Sequence, residues 1–313
     1  MRIRTLSVIA HTEDQCFASV DRVNVTILDG GMGRELLRIG APFQQPEWSA
    51  LALMEGPDWV VQAHRNFVEA GAQVITSNSY ACVPFHIGEK RFAQRGRQLT
   101  ALAGELARQA AGDGVRVAGS LPPVFGSYRP DLFDAGRVRA VLDVLVEALS
   151  PSIDHWLIET TASIAEAKAS LAAVSAHKQP RWVSFTLEDT LDASGRASLR
   201  SGESIEAATD AVGADVAAML FNCSQPEVMG AAVEQAASRL NGSAEVGVYA
   251  NAFPLISGNA TANQVLLEIR EDLDPQSYAR FAQSWVDRGA SIIGGCCGIR
   301  PDHIHALASS LTH

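Results

Sequence analysis

The feature that most constrains the fold is a regular alternation of short apolar runs with longer segments of helical period. The apolar runs have strand length and occupy residues 25–28, 73–76, 115–119, 155–158, 181–186, 216–222, 246–250 and 291–294. Most are apolar throughout, as expected for parallel strands that are buried on both faces. The pattern therefore favours an α/β fold built on a parallel sheet.

Segments of helical period lie between and after these runs, at 58–70, 93–111, 138–149, 164–174, 204–212, 227–239, 275–288 and 301–311. Ser204 and Asp274-Pro275 are typical helix starts, and Gly71 and Gly289 stand where a helix gives way to a strand. Eight strand–helix units in 313 residues predict a single (β/α)8 TIM barrel. A doubly wound open sheet is the alternative, but Asp29-Gly30-Gly31-Met32-Gly33 lacks the glycine spacing of a dinucleotide site.

No linker, low-complexity tract or repeat interrupts the alternation, so we predict one domain over residues 24–313. Residues 1–23 precede the first strand and are predicted to be an N-terminal extension. The segment 253–274 is longer than most connections and rich in Gly, Asn and Thr. Long loops in compact domains are often functional or mobile.

The net charge of the chain argues against some classes of binding partner. A net charge of -10 and the lack of an extended Lys/Arg cluster argue against binding to nucleic acid or to an anionic membrane, so small-molecule chemistry is expected. No apolar stretch is long enough for a signal peptide or a membrane span. Five cysteines, an odd number, do not form a disulfide framework, so we expect a cytoplasmic protein. The oligomeric state is left open.

Three of the five cysteines lie at strand ends, where barrel enzymes place their active sites. Cys223 ends the sixth apolar run, and Cys296 and Cys297 follow the eighth within Gly294-Gly295-Cys296-Cys297-Gly298. Three thiolates suit a zinc ion and leave one tetrahedral position open for a substrate. The flanking glycines can supply the unusual backbone angles that two adjacent ligands need. A vicinal disulfide, or two buried thiols beside a phosphate-binding turn, are the alternatives.

The remaining cysteines and a histidine pair have simpler interpretations. Cys16 and Cys82 are most simply free thiols. His303 and His305 form a His-x-His pair, but residues two apart on a helix point to different faces. We therefore expect both histidines at the surface.

Carboxylates and aromatic residues near the strand ends are candidates for substrate binding. Asp29 and Glu159 end the first and fourth strands and could act as acid and base or hold an ammonium group. A loop cap or a surface ion pair would explain either residue alone. Trp48 and Tyr80 could wall a pocket and stabilise a cation with their ring faces, or could simply pack.

The order of these motifs resembles the homocysteine S-methyltransferase family from about Thr26 to the C-terminal helix. The shared motifs are Leu28-Asp29-Gly30-Gly31-Met32-Gly33, Pro46-Glu47-Trp48-Ser49, Ala70-Gly71-Ala72, Ile158-Glu159-Thr160, Ser184-Phe185-Thr186, Asn222-Cys223 and Gly294-Gly295-Cys296-Cys297-Gly298. The resemblance implies a zinc-dependent barrel in which Cys223, Cys296 and Cys297 hold the metal. The thiol of homocysteine would then take the fourth position, and a sulfonium donor would methylate it to methionine.

The resemblance also implies roles for the other candidates. Asp29 and Glu159 would help to hold the amino-acid portion of homocysteine, and Trp48 and Tyr80 would lie near the methyl-donor pocket. Asn222, beside Cys223 in the strand-six motif, is predicted to contact substrate as well.

Two departures from the family pattern leave the methyl donor open. Ser120-Leu121-Pro122-Pro123-Val124-Phe125-Gly126-Ser127-Tyr128 stands where members that use S-methylmethionine have a Gly-Pro-Tyr-Gly-like stretch, and Ala250-Asn251 stands where many have Pro-Asn. S-methylmethionine is the expected donor and S-adenosylmethionine the second candidate, with dimethylsulfoniopropionate or betaine as alternatives. Betaine is the least expected, because its users carry a long C-terminal extension. The acceptor could also be another thiol or a selenol instead of homocysteine. An alternative of a different class is a non-catalytic barrel that binds zinc or a thiol.

Overall fold

The computed structural model describes residues 24–254 and 269–312. Its strands are β1 (Thr26–Ile27), β2 (Val74–Thr76), β3 (Arg116–Leu121), β4 (His155–Thr161), β5 (Arg181–Phe185), β6 (Ala218–Asn222), β7 (Glu245–Tyr249) and β8 (Ile292–Ile293). All pairs are parallel, in the order β1-β8-β7-β6-β5-β4-β3-β2. A parallel bridge between Leu28 and Val74 joins the two remaining edges. The predicted (β/α)8 TIM barrel is therefore confirmed.

The helices surround this sheet. They are α1 (Met32–Ile39), α2 (Ala50–Glu55), α3 (Pro57–Glu69), α4 (Pro84–Ile87), α5 (Glu89–Ala111), α6 (Val138–Leu149), α7 (Ile164–Ala173), α8 (Ile205–Val212), α9 (Pro226–Leu240), α10 (Pro275–Val286) and α11 (Pro301–Leu311). The eight predicted helices correspond to α3 and α5–α11. The side chains of Ser204 and Asp274 accept hydrogen bonds at the starts of α8 and α10, as their positions predicted. Helices α2 and α4 were not predicted because each is too short to display a helical period, and α1 was not predicted because it begins within the glycine motif, which does not favour a helix.

The fourth strand extends beyond its predicted end and is irregular there. Its pairing with β5 shifts register between Ile158 and Thr161, and the intervening Thr160 has a left-handed backbone with φ of 58°. Such irregularities re-aim side chains near active sites. Glu159 lies within this segment, which places it at the mouth of the barrel.

The barrel interior is packed with side chains. One buried cluster draws on every strand or on the residue that follows it, namely Leu28, Val74, Ala118, Leu157, Trp182, Ala218, Leu220, Tyr249 and Ile292. A larger apolar cluster fills the space between the sheet and the helices. Because the interior is filled, any substrate must bind above it, among the loops at the carboxyl ends of the strands.

One surface assignment was wrong. His303 is buried, with Nε2 2.9 Å from the Leu273 carbonyl oxygen and Nδ1 3.0 Å from the Asp302 carboxylate. The start of α11 packs against the segment that leads into α10, which covers this face of the helix. His305 is exposed, as predicted.

Other predictions meet the structure only in part. Cys82 is a buried free thiol, and burial raises its pKa to about 12. Cys16, the whole extension 1–23 and residues 255–268 of the long loop lie outside the described residues. Among the described residues, no helix combines the length and the apolar character needed to cross a bilayer.

Candidate active site

Three cysteine sulfurs meet at the carboxyl end of the barrel. The Sγ atoms of Cys223 and Cys297 are 3.9 Å apart, and those of Cys296 and Cys297 are 4.0 Å apart. All three sulfurs lie within 4.8 Å of one another, and all three cysteines are free. A disulfide would require a separation of about 2 Å. The vicinal disulfide considered from the sequence is therefore not present in this structure.

The sulfur positions fit a metal ion held by three thiolates. A tetrahedral zinc site with Zn–S bonds of about 2.3 Å would place its sulfurs roughly 3.8 Å apart. The distances of 3.9 Å and 4.0 Å agree with that value. Thiolate ligands also favour zinc over hard cations such as magnesium or calcium. The donor set and the spacing therefore suit a thiolate-bound metal with a further position available to a substrate.

The glycines around the cysteine pair act differently from the sequence prediction. Only Gly298 has a left-handed backbone, with φ of 88°. Gly294 and Gly295 are needed for space. A Cβ on Gly294 would lie 2.4 Å from Cβ of Leu28, and one on Gly295 would lie 2.1 Å from Cγ2 of Ile299. Close packing against neighbouring segments, rather than backbone angle, requires glycine at these two positions.

Unfavourable backbone conformations are concentrated at the same end of the barrel. Trp48, Tyr128, Thr160 and Cys223 have φ between 50° and 64°, although none is glycine. All four line one cavity. The fifth such residue in the described chain is Asn241, which caps α9, where this conformation is ordinary. Non-glycine residues in this region cluster at functional sites, so the strain marks the cavity as the candidate site.

The cavity has a volume of about 300 Å³, and its chemistry is divided between its floor and its walls. The floor carries the three cysteines with Asp29 and Glu159. Aromatic rings form much of the walls and come from Phe43, Trp48, Tyr80, Tyr128 and Phe253, while Tyr249 lies lower, in the barrel interior beside Glu159. A polar, thiol-rich floor beneath aromatic walls suits a small polar acceptor and a cationic second substrate.

The two carboxyl groups are buried and face the cavity. Asp29 accepts hydrogen bonds from the backbone N–H of Thr76 at 2.7 Å and from its hydroxyl at 3.0 Å. Burial nevertheless raises the pKa of Asp29 to about 7. Glu159 accepts hydrogen bonds from the hydroxyls of Ser120 and Tyr249, and burial raises its pKa to about 7 as well. A cationic group placed between these carboxyls would offset the cost of ionising them.

The other predicted site residues occupy two different environments. Trp48 and Tyr80 line the cavity; Trp48 packs edge-on against Phe43, and the Tyr80 hydroxyl lies 2.6 Å from the Ser127 hydroxyl. Asn222 is not among the lining residues. Its carboxamide oxygen accepts from the Thr160 N–H at 3.1 Å, and its amide group donates to the Thr160 hydroxyl at 2.8 Å. Asn222 therefore supports the turn that follows Glu159.

Two residues at the cavity were missed from the sequence. Arg34 is the one arginine or lysine among the described lining residues, and its guanidinium lies 5.6 Å from the centre of the Phe253 ring. Hydrogen bonds with Cys223 and Cys296 hold the pKa of Cys297 well below its usual range, and the charge of Arg34 lowers it further. Arg34 follows the glycine motif directly, which was an available signal. Tyr128 lies in a loop that was noted only for its departure from the family pattern.

Comparisons with known proteins agree with this geometry. A family model described as homocysteine S-methyltransferase matches residues 26–311. The homocysteine S-methyltransferase of Escherichia coli strain K12 is 30% identical, with 93% of this chain and 96% of that protein covered. A selenocysteine Se-methyltransferase from Brassica oleracea var. italica is 25% identical, with 91% and 88% covered.

A solved structure extends the similarity to three dimensions. The metallated form of the homocysteine methyltransferase MmuM from Escherichia coli superposes with a TM-score of 0.71 at 28% identity, covering 93% of this chain and 97% of that one. The matches span the barrel and the segments that carry the cysteines. The chain belongs to the homocysteine S-methyltransferase family.

Proposed function

We propose that this methyltransferase moves a methyl group from a sulfonium donor to the sulfur of homocysteine and releases methionine. The observation that carries the proposal is the triangle of cysteine sulfurs on the floor of a cavity that also holds two buried carboxyls. Cys223, Cys296 and Cys297 would hold a zinc ion. When bound, zinc lowers the pKa of a coordinated thiol and keeps its sulfur nucleophilic at neutral pH.

Homocysteine is a zwitterion, and the cavity offers a partner for each pole. Asp29 and Glu159 would accept the ammonium group, which favours their ionised forms. Arg34 would hold the carboxylate, since the other charged groups on the described lining are acidic or thiol groups. Asn222 would act indirectly, by fixing the Thr160 turn. These contacts orient the acceptor and leave its sulfur at the cysteine cluster.

The aromatic walls of the cavity would bind the methyl donor. An electron pair on the acceptor sulfur forms the new S–C bond as the donor S–C bond breaks, so the donor leaves as a neutral thioether. Trp48 and Tyr80 would stabilise the sulfonium charge with their ring faces before transfer. Holding the two sulfurs in line with the methyl carbon lowers the entropic part of the barrier. S-methylmethionine is the favoured donor, and S-adenosylmethionine, dimethylsulfoniopropionate and betaine complete the panel to be assayed.

A selenol acceptor is the second candidate. The similarity to a selenocysteine Se-methyltransferase favours it, and the proposed contacts recognise an amino-acid group rather than the sulfur itself. Parallel assays with homocysteine and selenocysteine at equal donor concentration would rank the two by kcat/KM.

The direct test combines metal analysis with product formation. Purified without chelator, the parent protein should contain about one zinc per chain, and Cys297→Ser should lose most of it because a ligand is removed. Methionine formation should vanish in Cys223→Ser. Cys82→Ala is the matched control, because Cys82 is a buried thiol outside the cavity lining and should leave metal content and product unchanged.

Two results would contradict the proposal. Unchanged zinc in Cys297→Ser would refute the ligand assignment, and continued methionine formation by Cys223→Ser would refute the mechanism. Tight homocysteine binding without product from any donor in the panel would instead favour a non-catalytic thiol-binding barrel.

A further inference from the structure

A tyrosine outside the predicted site contacts one of the candidate metal ligands. The phenol hydroxyl of Tyr128 donates a hydrogen bond to Sγ of Cys223, at 2.7 Å. Tyr128 lies in the loop after β3, and Cys223 directly follows β6. The contact therefore joins two segments on different sides of the barrel mouth, 95 residues apart in the chain.

The Tyr128 ring is supported from a second direction. The guanidinium of Arg200 lies 5.4 Å from the centre of the ring. Arg200 is itself fixed by an ion pair of 3.0 Å with Asp189, and both side chains are largely buried. The Arg200 backbone N–H also donates to the Thr186 carbonyl oxygen at 3.0 Å, which ties this support to the end of β5. The ring is thus held between an arginine and a sulfur.

The loop that carries Tyr128 is fixed in an unfavourable backbone conformation. Tyr128 has φ of 64°, and its contact partner Cys223 has φ of 52°. The preceding residue, Ser127, bonds the hydroxyl of Tyr80 at 2.6 Å. Such a conformation persists only where the surroundings enforce it. Here the surroundings direct the phenol hydroxyl at the sulfur.

We propose that Tyr128 is a positioning residue of the metal centre, whose hydroxyl orients the Cys223 sulfur and limits the charge that this sulfur donates to a bound metal. The inference rests on the proposed function. Cys296 and Cys297 are adjacent in one turn, whereas Cys223 must complete the triangle from another strand. Its side-chain direction therefore decides whether the three sulfurs converge. Hydrogen bonds to ligand atoms tune metal affinity in this way at many metal sites.

The test replaces the hydroxyl alone. Tyr128→Phe keeps the ring and its contact with Arg200 but removes the donor to sulfur. In competition with a chromophoric chelator, we expect the zinc Kd of this variant to rise by about 10–100-fold, because losing the orientation of the Cys223 sulfur outweighs the stronger donation of a sulfur without the hydrogen bond. In protein loaded with cobalt(II), we expect the thiolate-to-cobalt charge-transfer band to move to lower energy, because a sulfur without the hydrogen bond gives up electron density more readily.

Two further variants serve as controls. Tyr80→Phe removes a second phenol hydroxyl from the same cavity, one that bonds Ser127. Because this bond helps to hold the Tyr128 loop but leaves the donor to sulfur in place, we expect a zinc Kd and a cobalt spectrum much closer to those of the parent than in Tyr128→Phe. Arg200→Met leaves the hydroxyl in place but removes the support of the ring, so we expect a smaller change in the same direction. Arg200→Met also keeps the inference testable if Tyr128→Phe fails to fold.

The outcomes separate this inference from the function on which it rests. A parent protein that binds no zinc would overturn both. A parent that binds zinc and makes methionine, together with a Tyr128→Phe variant of unchanged Kd and spectrum, would overturn the role of Tyr128 alone. An equal shift in Tyr80→Phe would also overturn it, because the effect would then come from general disturbance of the cavity.

Discussion

At the residue scale, the cavity places opposite charges around one thiol-rich floor. Asp29 and Glu159 are buried carboxyls whose pKa burial raises to about 7, so their ionisation costs free energy unless a cation lies beside them. Arg34 is the one arginine or lysine among the described lining residues. The ammonium group of a zwitterionic amino acid would pair with the carboxyls, and its carboxylate would pair with Arg34. A simple thiol would pair with neither. Acceptors that lack either the amino group or the carboxylate should therefore depend on only one of these two partners.

We expect Asp29→Asn and Arg34→Met to lose affinity for different halves of homocysteine. Asn at position 29 can still accept from the Thr76 N–H but has no charge for an ammonium group. Loss of a hydrogen bond to a charged group costs about 1.5–3 kcal/mol, or roughly 10–100-fold in kcat/KM. The penalty in Asp29→Asn should disappear with 4-sulfanylbutanoate, which lacks the amino group. The penalty in Arg34→Met should disappear with 3-aminopropane-1-thiol, which lacks the carboxylate.

The crossed design supplies its own controls. Each acceptor is assayed with the parent and both variants at equal metal content, and kcat/KM is compared within each acceptor. If both variants lose the same factor with all three thiols, the two residues do not recognise the acceptor and the assignment of its poles is wrong.

Whether a site residue could be predicted depended on where it lies in the chain. Asp29, Glu159 and the cysteines follow the apolar runs that predict strands, and parallel strands end on one side of a barrel, so apolar periodicity alone brought them together. Arg34 lies in α1 and Tyr128 in a loop with a left-handed backbone, and no periodic pattern specifies either position. Asn222 shows the limit of the rule, because its side chain turns toward Thr160 instead of the cavity.

At the scale of the element, the start of α7 contains a second kind of buried carboxyl. Ser163 caps the helix by accepting from the Glu166 N–H, and the Glu166 carboxylate accepts from the Ala162 N–H at 2.5 Å. Burial raises the pKa of Glu166 to about 7 in spite of these bonds. Glu166 lies outside the cavity lining, so its ionisation bears on stability rather than on binding.

The raised pKa of Glu166 gives the protein a definite pH dependence. The folded state keeps this proton up to about pH 7, whereas the unfolded chain releases it near the ordinary value of 4.5. The free energy of unfolding should therefore fall as the pH rises from about 4.5 to 7, on the order of 3 kcal/mol from this group. Asp29 and Glu159 act in the same direction. Glu166→Gln should remove its share of the slope while keeping an oxygen to accept from Ala162.

Urea unfolding between pH 4.5 and 8 would measure this effect. Glu105→Gln, which removes an exposed carboxyl from α5, is the control for loss of one negative charge. A Glu166→Gln variant whose unfolding free energy keeps the full parental slope would show that Glu166 ionises normally in the folded protein.

Whether a helix or strand could be predicted from the sequence depended mainly on the length of its pattern. The longer helices and the strands were predictable because burial imposes a helical period on a helix and a short, largely apolar run on a strand. The six residues of α2 and the four of α4 are too few for such a signal, and α1 begins within the glycine motif, which does not favour a helix. The extension of β4 past Ile158 was missed because Glu159 and Thr160 are polar. The register shift at these residues lies at the mouth of the barrel, where burial imposes no apolar pattern.

At the scale of the whole molecule, the candidate metal centre lies beside a short seam of the barrel. Strands β1 and β8 have two residues each and pair only through Thr26 with Ile292 and Ile27 with Ile293. Cys296 and Cys297 follow β8, while Cys223 follows β6 on the other side of β7. A metal bound by all three sulfurs would therefore tie the end of β8 to the longer strands of the sheet.

Metal removal should then destabilise the fold as well as stop catalysis. A ligand that binds only the folded state contributes about 4 kcal/mol when its free concentration is 1,000 times Kd. For a domain of this size, each kcal/mol corresponds to roughly 2–4 °C in Tm, so chelation under reducing conditions should lower Tm by about 8–16 °C. Amide hydrogen exchange should rise most in residues 290–299. Cys296→Ser, already short of one ligand, should show little further change with chelator. If the parent gives up its metal and its Tm does not move, the cysteine cluster contributes nothing to the β1–β8 seam, and its sulfurs serve the acceptor alone.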